Sequence, residues 1–88
     1  MALPEWRSEI DELDKKLVTL FNQRALLALK IGSEKRKQGL PMRSLEREEQ
    51  VLANVKKLNT GPLSDEALGR LFQQLMDEFC RLEEERSA

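Results

Sequence analysis

Apolar residues recur at alternating steps of three and four along most of the chain, the period of an amphipathic helix and not of a strand. The first stripe comprises Trp6, Ile10, Leu13, Leu17, Leu20, Leu27 and Ile31, with one gap at position 24. Pro4 suits a first helical turn and Gly39-Leu40-Pro41 stops the run, so the spacing predicts a helix from Pro4 to Gln38. A second helix is predicted from Leu45 to about Asn59, with Ser44 as its N-cap and Asn59-Thr60-Gly61-Pro62 as its stop. A third begins after Ser64, with Asp65 and Glu66 in the first turn, where the helix dipole favours acids. Leu63 and Leu68 have the spacing of a hydrophobic staple there. That helix continues through Leu71, Phe72, Leu75, Met76, Phe79 and Leu82 to an acidic end. The pattern is all-α: three helices, one of them very long, in a single domain spanning 1–88.

The long helix poses a geometric problem. About 34 residues at ~1.5 Å each make a rod roughly 50 Å long, whereas a compact globule of this chain length is roughly 30 Å across. The rod is apolar along nearly its whole length, so a second copy of the chain is expected to cover the overhang. An intertwined helical homodimer is the simplest closed arrangement. Gly32, deep in the helix, costs up to ~1 kcal/mol relative to Ala and is expected to mark the close approach of another backbone. Trp6, Cys80 and the methionines are expected to fill core. A long two-stranded coiled coil also accounts for a rod, but charges interrupt the stripe where its seam should be apolar.

Composition narrows the chemistry. The 15 Lys and Arg nearly balance 16 Asp and Glu, a net charge of -1, so no global field recruits nucleic acid or an anionic membrane. A 40% hydrophobic share with 35% charged residues fits a folded chain, and no stretch approaches the ~18 apolar residues of a membrane span. The start Met1-Ala2-Leu3-Pro4 lacks the basic and apolar regions of a signal peptide, so a cytoplasmic protein is expected. There is no histidine and one cysteine, hence no Ser-His or Cys-His nucleophile pair, no internal disulfide and no imidazole or thiolate metal site. The four glycines are too scattered to cradle a phosphate. Catalysis, if any, rests on Arg, Lys, Asp, Glu and hydroxyls, with neither metal nor cofactor.

The interruptions in the stripes carry the functional signal. Arg24 fills the gap between Leu20 and Leu27, and Lys35, eleven residues on, returns to nearly the same azimuth. Arg7 lies seventeen residues before Arg24, about 25 Å along the rod, too far to join it within one chain but placed to reach a two-fold partner's site. In the second helix Glu48 interrupts the apolar stripe, with Arg47 beside it; in the third, Glu83 follows Phe79 at the next four-step. Each charge alone has a bland reading. Arg24 and Lys35 can snorkel or pair at a rim, Arg7 can be solvated, and Glu48 can pair with Arg47 or a neighbouring helix. Glu83 can belong to a solubilising acidic run, and Ser44 is first a cap. Together, however, burying five such charges costs several kcal/mol each unless they are paired. The cations exceed what Glu48 and Glu83 neutralise, so a small dianion would complete the set.

The ordered set Arg7, Ile10-Asp11-Glu12-Leu13-Asp14, Arg24, Lys30-Ile31-Gly32-Ser33-Glu34-Lys35, Pro41 to Leu45, Arg47-Glu48 and Glu83 resembles the AroQ-class, all-helical chorismate mutases over nearly the full length. The resemblance implies an intertwined homodimer with sites shared between chains. It also implies the cofactor-free rearrangement of chorismate to prephenate in phenylalanine and tyrosine biosynthesis. On it, Arg24 and the partner's Arg7 would clamp the two substrate carboxylates, and Lys35 would contact a carboxylate and the ether oxygen. Arg47 would organise the pocket, Glu48 would accept from the substrate hydroxyl, and Ser44 would lie near that hydroxyl. Glu83 would stand beside the ether oxygen as a neutral acid, since a carboxylate would repel the charge developing there. Phe79 departs from the small or polar residue of some members and removes one polar contact. Two other readings remain open: isochorismate-pyruvate lyase, of the same fold, and a non-catalytic helical dimerisation or regulatory module.

Overall fold

In the computed structural model of the chain, residues 2–86 are described, and they form three helices with no strand among them. Helix α1 spans Ala2–Gln38, α2 Leu45–Leu58 and α3 Asp65–Glu85. The first begins two residues before the expected Pro4. A proline costs nothing there, because the first four N–H groups of a helix have no intrahelical acceptor. Ser44 caps α2, its hydroxyl accepting from Arg47 N–H at 3.2 Å, and Ser64 caps α3 in the same way through Ala67 N–H at 3.0 Å. Asn59 is the C-cap of α2 instead of its last residue.

The end of α1 positions the site. Gly39 takes φ +70°, which a side chain rarely tolerates, and closes a reversal in which Leu40 N–H donates to Lys35 C=O at 2.8 Å and Gly39 N–H to Arg36 C=O at 3.2 Å. The loop 39–44 is thereby folded back beside Lys35.

Helix α3 packs against both α1 and α2. The core is small: the buried apolar side chains among the described residues are Ala28, Val55 and Met76, and none is completely sealed. The chain extends 56 × 25 × 15 Å, with a radius of gyration of 16.0 Å. A globule of this length has a radius near ~12 Å. The overhang expected from the stripe is therefore present. Trp6, Ile10, Leu13 and Leu20 are 55–60% exposed, and Leu17, Leu27 and Ile31 are likewise exposed. In the single chain Trp6 is thus surface, not core, because nothing in its own fold reaches it. Met76 is core as expected, Met42 and Cys80 are half-buried, and Met1 lies outside the described residues. Among the described residues no helix is long and apolar enough to cross a membrane.

Candidate active site

The C-terminal half of α1, the 39–44 loop, the first turns of α2 and the C-terminal half of α3 enclose a cleft of about 870 Å³. That size is ordinary for a small-molecule site, for which roughly 300–1,000 Å³ is typical. Arg24, Lys35, Ser44, Arg47, Glu48 and Glu83 all line it. Six of the seven site residues expected from the sequence therefore meet at one place. Arg7 does not: it lies exposed on α1, about seventeen helical rises, or ~25 Å, from Arg24.

Lys35 donates from Nζ to Met42 C=O at 2.5 Å, and its ammonium stands 3.7 Å from Glu83 Oε2. Its side chain is mostly withdrawn from solvent and that of Glu83 almost entirely, so this is a partly buried ion pair at the cleft wall. The guanidinium of Arg24 lies 4.9 Å from the centroid of Phe79. A cation over an aromatic face gains about 0.5–2 kcal/mol, so the Phe79 ring holds Arg24 in place. Burial pulls the Arg24 pKa below its ordinary value; the like charge of Arg47 adds to this, and Glu83 opposes it. Two guanidiniums thus repel each other across the same cleft, a strain that an anionic guest would relieve.

Glu48 is buried at the start of α2 and pairs not with Arg47 but with the loop and, as the other expectation had it, with a neighbouring helix. Arg47 gives its guanidinium to Gln50 Oε1 at 3.3 Å. From the loop Glu48 takes Arg43, with Nη2 donating to Oε1 at 2.9 Å and Nε standing 2.8 Å from Oε2. Gln73 on the neighbouring α3 adds a donor to Oε1 at 3.0 Å. Cys80 lines the cleft as well, and burial, followed by the negative charge of Glu83, raises its thiol pKa.

The close approach expected at Gly32 also has a different origin. A Cβ at that position would meet Glu83 Cγ at 3.2 Å and Glu83 Cβ at 3.3 Å. The neighbour is a site side chain on α3, not a second backbone. Gly32 lets Glu83 lie flat against α1.

The sequence profile of chorismate mutase type II matches residues 6–84. The chain belongs to that family. Among chorismate mutase relatives, the bifunctional chorismate mutase/prephenate dehydratase of Neisseria gonorrhoeae is 42% identical over 77 residues, 88% of this chain and 21% of its own length. The bifunctional enzyme of Aquifex aeolicus is 35% identical over 85 residues, covering 92% of this chain and 24% of its own. This chain therefore spans about a quarter or less of those two proteins. The chorismate mutase of Methanocaldococcus jannaschii is closer in size: it is 34% identical over 76 residues, 85% of this chain and 77% of its own. The form II structure of the chorismate mutase from Thermus thermophilus superposes with a TM-score of 0.93 at 31% identity, covering 96% of each chain. The three-helix arrangement with one long helix is therefore the chorismate mutase type II fold.

Three residues of the cleft network carry no signal in the sequence. Arg43 lies outside any helix, so its five-residue offset from Glu48 matches no helical period. Gln73 and Asp77 are two polar residues on a mostly polar helix face. Only the packing of α3 against α2 brings them to Glu48.

Proposed function

We propose that the chain catalyses the rearrangement of chorismate to prephenate, as a homodimer whose two clefts each draw residues from both copies. The observation that carries the reading is the convergence of Arg24, Lys35 and Arg47 with Glu48 and Glu83 on one cleft. The reaction breaks an ether C–O bond and forms a C–C bond within one molecule, with no net proton transfer and no external nucleophile. Its barrier falls when a flexible dicarboxylate is held in its compact conformer and the charge developing at the ether oxygen is stabilised.

In this reading Arg24 holds one carboxylate, steadied from behind by Phe79, and the partner's Arg7 holds the other. Lys35 exchanges the Met42 carbonyl and Glu83 for a substrate carboxylate and the ether oxygen. Arg47 adds positive potential at the same end, while Glu48 and the Ser44 helix start face the ring hydroxyl. Glu83, neutral in the bound state, donates to the ether oxygen. The whole chain serves as one catalytic domain, and a cytoplasmic location suits its place in aromatic amino acid synthesis. The exposed α1 stripe supports the dimer, because burying seven half-exposed apolar side chains recovers roughly 1 kcal/mol each.

Loss of chorismate absorbance on adding the purified chain, followed by chromatography, tests the proposal. Prephenate is the expected product. Salicylate and pyruvate from isochorismate would assign the lyase instead. No turnover, with Arg24→Ala and Lys35→Ala neutral or stabilising, would leave a non-catalytic module.

A further inference from the structure

Among the described residues α3 packs on both other helices, but α1 and α2 do not pack on each other. Only the 39–44 loop joins those two directly across the cleft, and it lies over Lys35 as a strap. Leu40 N–H donates to the Lys35 C=O at 2.8 Å, and the Lys35 ammonium donates to the Met42 C=O at 2.5 Å. The Met42 carbonyl shares one planar peptide unit with the Arg43 nitrogen, so whatever fixes Arg43 also fixes the acceptor of the lysine. Arg43 is fixed twice. Its guanidinium meets Glu48 on α2, with Nη2 at 2.9 Å from Oε1 and Nε at 2.8 Å from Oε2. The same Nη2 donates to Asp77 Oδ1 on α3 at 2.6 Å. Gln73, one turn before Asp77, also donates to Asp77 Oδ1, at 3.1 Å. Six residues after Asp77 on the same helix, Glu83 faces the Lys35 ammonium at 3.7 Å. The contacts run from α1 through the strap to α3 and back to α1, and Lys35 stands where the ring closes.

We propose that Arg43 and Asp77 form a clasp that fastens the 39–44 strap to α3 and so stations Lys35 at the cleft wall before a substrate arrives. Both are positioning residues, acting on the guest only through the lysine. The proposal rests on the chorismate reading above for what Lys35 then meets; the clasp itself needs no ligand. Glu48 ties Arg43 only to the helix into which the strap already leads, whereas Asp77 anchors it to a different element. A guanidinium fork can serve two carboxylates at once, a geometry that an ammonium does not reproduce. Asp77 is held below the ordinary carboxylate range, chiefly by its hydrogen bond from Arg43 and then by that from Gln73, so the anchor stays ionised. Both clasp side chains are 42% exposed, so solvent screens the pair, and it acts on position more than on stability. An unclasped lysine would have to be ordered by the guest itself, which weakens binding.

The test compares the 88-residue chain with its Asp77→Ala, Asp77→Glu and Arg43→Lys variants by two readouts. One is the acetylation rate of Lys35, followed by peptide mass spectrometry against the exposed Lys56 and Lys57 of α2. The other is KM and kcat for chorismate. Asp77→Ala should acetylate Lys35 about two- to fivefold faster and raise KM about two- to fivefold, the factor of one exposed charge pair. Its kcat should hold, because a seated substrate keeps the ammonium in place by itself. Asp77→Glu, which keeps the carboxylate, should leave both readouts at the wild-type level. Arg43→Lys, which loses the fork, should behave as Asp77→Ala does, and it decides the matter if Asp77→Ala fails to fold by circular dichroism. Lys35 acetylation that is unchanged, or that rises no more than that of Lys56 and Lys57, overturns the proposal, as does a loss borne by kcat with KM unchanged. If the wild-type chain does not turn over chorismate, the functional reading falls on its own, and the acetylation rates still decide the clasp.

Discussion

If each cleft needs Arg24 from one chain and Arg7 from the other, two inactive variants should rescue each other when mixed. Within a chain the two arginines are seventeen residues apart on one continuous helix, about 25 Å, whereas an extended arginine side chain reaches only about 7 Å. Arg7→Ala and Arg24→Ala each leave one substrate carboxylate without its partner in a dry site. That loss is about 3–5 kcal/mol, or roughly two to four orders of magnitude in kcat/KM. When the two variants are unfolded together and refolded, random pairing makes about half of the molecules mixed dimers. In a mixed dimer one cleft carries both substitutions and the other carries neither. Turnover of the mixture should therefore return to about a quarter of the wild-type rate per chain, far above either parent. Chorismate absorbance reads the rate, and sedimentation confirms the dimer. A mixture no more active than its parents, or an Arg7→Ala variant with wild-type turnover, would refute the shared-site argument.

Gly32→Ala sets local propensity against the site. Alanine favours the helix by up to ~1 kcal/mol, but its Cβ would crowd Glu83, so thermal stability should change little while kcat/KM falls. Cys80 should alkylate more slowly near pH 8 than a free thiol, since its thiolate forms only at higher pH, and a bound dicarboxylate should slow labelling further; mass spectrometry follows both. Glu83→Gln keeps a hydrogen-bond donor beside the ether oxygen and should retain turnover, whereas Glu83→Ala should lose it; equal losses in the two variants, read by chorismate absorbance, would show that Glu83 does not donate there.

The sequence alone determined the elements and most of the cleft's chemistry. The three-and-four spacing, the Ser44 and Ser64 caps and the Gly39 stop are local signals, and local backbone preference is enough to realise them. The placement of Arg24 and Lys35 follows from helical periodicity within one element, so the sequence could put them on one face. Glu48 and Glu83 stood out because a charge on an apolar stripe must be explained by something. The mismatch between rod length and globule size was also arithmetic on the sequence, and the extent of 56 Å agrees with it.

What only the tertiary structure decided lies between elements. Docking α3 on α2 set Gln73 and Asp77 beside Glu48, and folding back the loop brought Arg43 to the same carboxylate. Docking α3 on α1 laid Glu83 over Gly32, turning an expected backbone contact into a side-chain seat. Periodicity records which way a side chain faces on its own helix. It holds nothing about which neighbour arrives there, because that depends on how the helices pack.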